Sequence, residues 1–105
     1  MTASKLLDRV VEGFRTKGVE PWWINYRHEP DTDIVPNKTI HVHETDRMNY
    51  RYDLENVTVT IEVTEWTRES YGGASGKRLF KIKVPKNASD KVINNRIDKA
   101  LEYYR

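Results

Sequence analysis

Apolar positions along this chain change their spacing several times, and each change marks an element. Leu6, Leu7, Val10, Val11 and Phe14 fall at i, i+1, i+4, i+5 and i+8, one stripe of a helix, with Asp8, Arg9, Glu12, Arg15 and Lys17 on the opposite side or in the last turn. Thr2 and Ser4 are candidate N-caps, and Gly18 is expected to end the helix. After Pro21 the period becomes two: Trp22, Ile24 and Tyr26 alternate with Trp23, Asn25 and Arg27, which predicts a strand with the first set turned inward. Residues 28–38 hold Pro30, Asp31, Asp33, Pro36 and Asn37 and predict a long loop. A short strand is expected at 39–44, with Ile40 and Val42 on one side and His41 and His43 on the other.

Met48, Tyr50, Tyr52 and Leu54 also alternate, but Asn49, Arg51 and Asp53 between them leave an edge strand or an ordered loop. The strongest strand pattern is 57–68, where Val57, Val59, Ile61 and Val63 oppose Thr58, Thr60, Glu62, Thr64 and Trp66; such a β-branched run belongs at the centre of a sheet. A Gly/Ser turn at 70–76 leads to a strand at 79–84 with Phe80, Ile82 and Val84 inward and Lys81 and Lys83 outward, so a hairpin with a long tip is expected. Pro85 stops that strand. Asn87, with Asp90 three residues on, is the candidate cap of a second helix whose apolar stripe is Val92, Ile93, Ile97, Ala100, Leu101 and Tyr104.

These elements predict one α+β domain over residues 1–105: a two-layer sandwich in which an antiparallel sheet of three or four strands carries the N- and C-terminal helices on one face, in the order α-β-β-(β)-β-β-α. The other face is expected to stand in water, carrying Trp23, Arg27, His41, His43, Thr58, Thr60, Glu62, Trp66, Lys81 and Lys83.

Composition narrows the chemistry. The chain has 105 residues and no cysteine, which excludes disulfides, thiolate zinc sites and cysteine nucleophiles. No apolar run reaches the length of a membrane span, and the charged N-terminal stretch is unlike a secretory leader, so a cytoplasmic protein without membrane contact is expected. A lone domain of this size suits an accessory or regulatory protein of the kind viruses and plasmids encode. The net charge of +2 is uneven: residues 1–75 hold nine Lys/Arg against thirteen Asp/Glu, and residues 76–105 nine against three, balances of −4 and +6.

No catalytic constellation emerges. Ser4, Ser70, Ser75 and Ser89 lack a nucleophile-elbow setting, and Gly72-Gly73-Ala74-Ser75-Gly76-Lys77 lies between strands, without the helix N-terminus a phosphate loop uses. No enzyme activity and no cofactor are therefore expected. Docking of a macromolecule through the open face is expected instead, by Trp23, Arg27, Trp66, Lys81 and Lys83 with Arg78, Lys91, Arg96 and Lys99 of the basic segment. A protein partner is the first reading. Nucleic acid is the alternative, with bases stacking on exposed aromatics and cations neutralising phosphates. The order of elements is shared with double-stranded RNA-binding domains, but the lysine run of that family is absent from Asn87-Ala88-Ser89-Asp90-Lys91. Two further readings remain: metal binding by His41 and His43, which share a strand face, and self-association through an uncovered sheet edge.

Overall fold

In a computed structural model, which describes residues 3–22, 38–44 and 58–105, helix α1 (Ala3–Arg15) buries the predicted stripe of Leu6, Leu7, Val10, Val11 and Phe14. Ser4 lies inside the helix, so it is not the cap. The helix ends as expected at Gly18, and the hydrogen bonds show how. The Gly18 N–H donates to Arg15 O at 3.0 Å and the Val19 N–H to Phe14 O at 3.1 Å, with Gly18 at φ +78°. This is a Schellman closure, in which the residue past the glycine folds back onto the last turn. Val19 is accordingly buried in the same apolar cluster as Phe14. Arg15 then clamps the exit, its guanidinium donating to Glu20 at 2.9–3.2 Å and to Glu12 at 3.1 Å. These hydrogen bonds hold the exposed Glu20 carboxyl below its usual range.

Three antiparallel strands follow, β1 (Lys38–Glu44), β2 (Val59–Arg68) and β3 (Ala74–Val84), in the spatial order β1-β2-β3. The β-branched run is central, as its pattern predicts. Register aligns Ile40 with Val63 and Val42 with Ile61 on one side of β2, and Val59 with Val84, Ile61 with Ile82 and Val63 with Phe80 on the other. Trp22 adds a parallel bridge on the far edge of β1, its N–H donating to Ile40 O and its carbonyl accepting from the Val42 N–H, both at 2.7 Å. The remainder of the alternating stretch 22–27, the loop after it and the stretch 48–54 lie outside the described residues.

The β2–β3 hairpin differs from expectation at its tip. Strand β3 begins at Ala74 instead of Leu79, and the loop shrinks to residues 70–72, closed by Glu69 N–H to Gly73 O at 2.9 Å, Gly72 N–H to Glu69 O at 3.1 Å and Gly72 at φ +92°. A glycine in the left-handed region completes a three-residue hairpin loop, which frees Ala74, Ser75 and Gly76 to pair with Arg68, Thr67 and Trp66. The register shifts between Val63 and Thr64, where Leu79 is the extra residue on β3.

Helix α2 (Asp90–Tyr104) starts two residues later than the Asn87 cap predicts. Pro85 O accepts from the Ala88 N–H at 3.0 Å, which places Asn87 in a turn. Ser89, in extended conformation, caps the helix and accepts from the Val92 N–H at 3.3 Å, and Asp90 stands in the first turn, where the helix dipole favours an anion. Ile93, Ile97, Ala100 and Leu101 are buried, and Val92 and Tyr104 pack at the margin. The apolar side chains of both helices and of the inner side of the sheet form one cluster. The helices also touch each other. A Cβ at Gly13 would stand 2.4 Å from Ile97 Cδ1; Arg9 donates to Ala88 O at 3.1 Å and to Asp90 at 2.8 Å, and Lys17 pairs with Asp98. Among the described residues no helix is long and apolar enough to cross a membrane.

Phe14→Ala should cost about 3–5 kcal/mol, because its fully buried ring leaves a void between helix and sheet. Gly18→Ala should cost about 1–2 kcal/mol through its left-handed backbone, although nothing crowds a Cβ there. Urea unfolding checks both; a Gly18→Ala midpoint equal to that of the parent would remove the closure from the account.

Candidate functional site

The alternation that sends valines and isoleucines inward sends a second set of side chains to the outer face of the sheet. Cross-strand register arranges these in rows: Thr39, Thr64 and Arg78; His41, Glu62 and Lys81; His43, Thr60 and Lys83; then Trp66 beside Gly76. The face is not uniformly bathed in water, which corrects the expectation of a bare layer. Thr39 is 3% and Thr60 1% exposed, His41, Glu62 and Trp66 are half-buried, and the cations of β3, Arg78, Lys81 and Lys83, are exposed. The face is thus closed at Thr39 and Thr60 and open along the cations of β3 and at the His43 side chain.

At the closed end three aromatic rings meet. Trp22 lies 5.1 Å from His41 between centroids, and His41 lies 6.3 Å from Trp66, each pair tilted. The bridge to β1 therefore turns Trp22 to the outer face, opposite to the inward side that alternation alone assigns it. Trp66 donates its indole N–H to Thr39 Oγ1 at 2.8 Å, and Thr39 Oγ1 stands 2.8 Å from His41 Nε2. An indole N–H can only donate. All three groups are satisfied when the Thr39 hydroxyl accepts from Trp66 and donates to an unprotonated His41 Nε2. Burial lowers the pKa of His41, with Glu62 opposing and His43 adding to the shift. The ring of Trp66 lies over Gly76: a Cβ there would stand 3.0 Å from Trp66 Cζ3 and 3.0 Å from Thr64 Cγ2. A strand glycine leaves room for that close approach.

Toward β3 the chemistry is ionic. Glu62 Oε1 lies 3.8 Å from His43 Nε2, 3.7 Å from Arg78 Nη1 and 3.8 Å from Lys81 Nζ. All three distances are too long for hydrogen bonds, and those to Arg78 and Lys81 are charge contacts. The His43 imidazole first, then Lys81 and Arg78, hold the Glu62 carboxyl below its usual value against the opposing effect of burial. Lys83 sits opposite Thr60 and, like Lys77, has no ion pair among the described residues.

The residues singled out in the sequence therefore separate. Trp66, Arg78, Lys81 and Lys83 share the outer face, with Trp66 occupied inside the domain instead of standing free. Lys91 and Lys99 are exposed and Arg96 half-buried on α2, outside the cluster around Glu62. Trp23 and Arg27 lie outside the described residues. His41 and His43 do not converge: one engages Thr39, the other faces Glu62, and among the described residues no group of three His, Cys, Asp or Glu could hold a metal. Sequence reasoning misses Thr39, Trp22 and Gly76. The available signal for Gly76 is the hairpin itself, since a loop at 70–72 pairs it with Trp66. No family model, curated protein or solved structure matches this chain.

Thr39→Val should cost about 1–3 kcal/mol, because it leaves a half-buried indole N–H unpaired. Trp66→Phe should then cost less in the Thr39→Val background than in the parent; equal costs in a double-mutant cycle would dissolve the link.

Stability should also fall on acidification. Unfolded His41 takes up a proton below about 6.5, its ordinary value, while folded His41 resists it. The contribution is therefore complete above that pH and is lost as pH drops toward the folded pKa. Glu62 acts with the same sign below its ordinary 4.5. Urea midpoints measured from pH 7.5 to 5 should decline in the parent and flatten in His41→Gln.

Proposed function

We propose that this domain is a non-catalytic docking module, a two-layer sandwich with both helices on the inner side of the sheet, and that its partner is a protein seated along β3 and the adjoining outer face. The observation that carries the reading is a contrast within that face: its aromatic end is engaged internally, whereas Arg78, Lys81 and Lys83 stand exposed on a strand unpaired on its outer side among the described residues. Residues 74–89 hold five Lys/Arg and no Asp/Glu, so this margin attracts an anionic surface. A protein is favoured over nucleic acid because stacking needs open aromatic faces. Trp22 and Trp66 are half-buried against His41, and Glu62 places a carboxylate among the cations a phosphate chain would track.

A photo-crosslinking residue at Ser75, exposed on β3, should yield discrete protein adducts in a lysate of the native cells, and the same group at the exposed Asp8 of α1 should not. Lys83→Glu should abolish the Ser75 adducts while thermal stability stays unchanged. Equal adducts from both positions, or adducts to nucleic acid alone, would reject the proposal.

A further inference from the structure

The two sides of β3 together specify what kind of segment fits beside it. On the outer side Arg78, Lys81 and Lys83 form an exposed cationic row. On the inner side Phe80 and Ile82 are only partly buried, and Tyr103 of α2, stacked on Phe80 with centroids 4.6 Å apart, remains 44% exposed. The apolar cluster thus ends in an incompletely covered seam directly beneath the cations. Between them runs the backbone of an 11-residue strand whose second edge has no partner among the described residues.

An extended segment pairing with that edge would alternate its side chains between the two surfaces. Its outward residues would stand about 5 Å from Lys81 and Lys83, with Arg78 beyond the bulge, and its inward residues would cover Phe80, Ile82 and Tyr103. We infer that β3 accepts an extended, acidic partner segment as a fourth strand, with carboxylates at every second position and apolar residues between them. This rests on the docking role proposed above and names the chemistry of the partner.

Charge selects this occupant over a second copy of the chain. Antiparallel pairing of β3 with itself would set its Lys and Arg residues against those of the copy, and like charges across a pair are destabilising. Exposed lysines protect a sheet edge from its own kind, and the same lysines attract a strand of opposite charge. Nucleic acid would satisfy the cations but would leave the apolar seam and the backbone edge unused.

A labelled peptide of alternating glutamate and valine tests the pairing, measured by fluorescence anisotropy at low and high salt. In an added strand every glutamate directs its N–H to one side and every valine to the other. N-methylation of one set should therefore abolish binding, and methylation of the other set should leave it intact. Lys83→Glu should weaken binding by on the order of tenfold, and Lys83→Gln by less. A peptide with its glutamates and valines in separate blocks should bind more weakly than the alternating one.

Binding that tolerates both methylations, or that is equal for the block peptide, would show attraction without strand pairing and overturn the inference. Tighter binding of a labelled oligouridylate would overturn it in favour of nucleic acid. Absence of peptide binding at low salt, with the Ser75 adducts still formed, would overturn the strand-addition inference and leave the docking role standing. Loss of both would remove the two together.

Discussion

Strand β2 is flanked by a full strand on each side, so a period of two commits each of its residues to a face. Val59, Ile61 and Val63 close the apolar cluster, and Thr60, Glu62, Thr64 and Trp66 build the opposite surface. A slip of one residue would exchange the two sets, driving a carboxylate and an indole N–H into the core. The hairpin holds this register by a fixed three-residue loop and by the extra residue Leu79, which lets Arg78 face the same way as Thr64 beyond the bulge. Core and surface chemistry are therefore set by one pairing.

The outer face gains its character from the same pairing. Around Thr39, two buried threonines and three adjacent rings close the face, and a hydrogen-bonded chain runs from Trp66 through Thr39 to His41. Near β3, charge replaces hydrogen bonding. Glu62 stands at the boundary, half-buried, beside the His43 ring and within charge contact of Arg78 and Lys81. It offsets part of the repulsion among neighbouring cations and leaves Lys83 at the margin outside its reach.

Much of this was legible in the sequence wherever one local rule decided the outcome. The stripe of α1, its glycine stop, the central place of β2 and the inward Phe80, Ile82 and Val84 follow from periodicity alone. Local rules competed elsewhere. Ala74, Ser75 and Gly76 have the composition of a turn, but cross-strand pairing draws them into β3; Asn87 and Ser89 are both good caps, and the Pro85 turn selects the second. The outward Lys81 and Lys83 were readable from alternation, whereas Arg78, on the parity of Phe80 and Ile82, is turned outward by the bulge at Leu79. The link from Trp66 to His41 was not readable, because it depends on which residue of β1 lies beside which residue of β2, and Thr39 and Trp66 stand 27 positions apart in the chain.

The meeting of the two helices also bears on how the chain reaches its final form. Arg9 reaches Ala88 across 79 residues, and Gly13 lies against Ile97, so the surface that α1 presents is completed by the last of the described elements. During synthesis from the ribosome, the leucines, valines and phenylalanine of α1 have no α2 to cover them until that late segment emerges. Assembly is consequently governed by contacts distant in sequence, which slows it, and the nascent chain spends that interval with a greasy stripe within reach of chaperones.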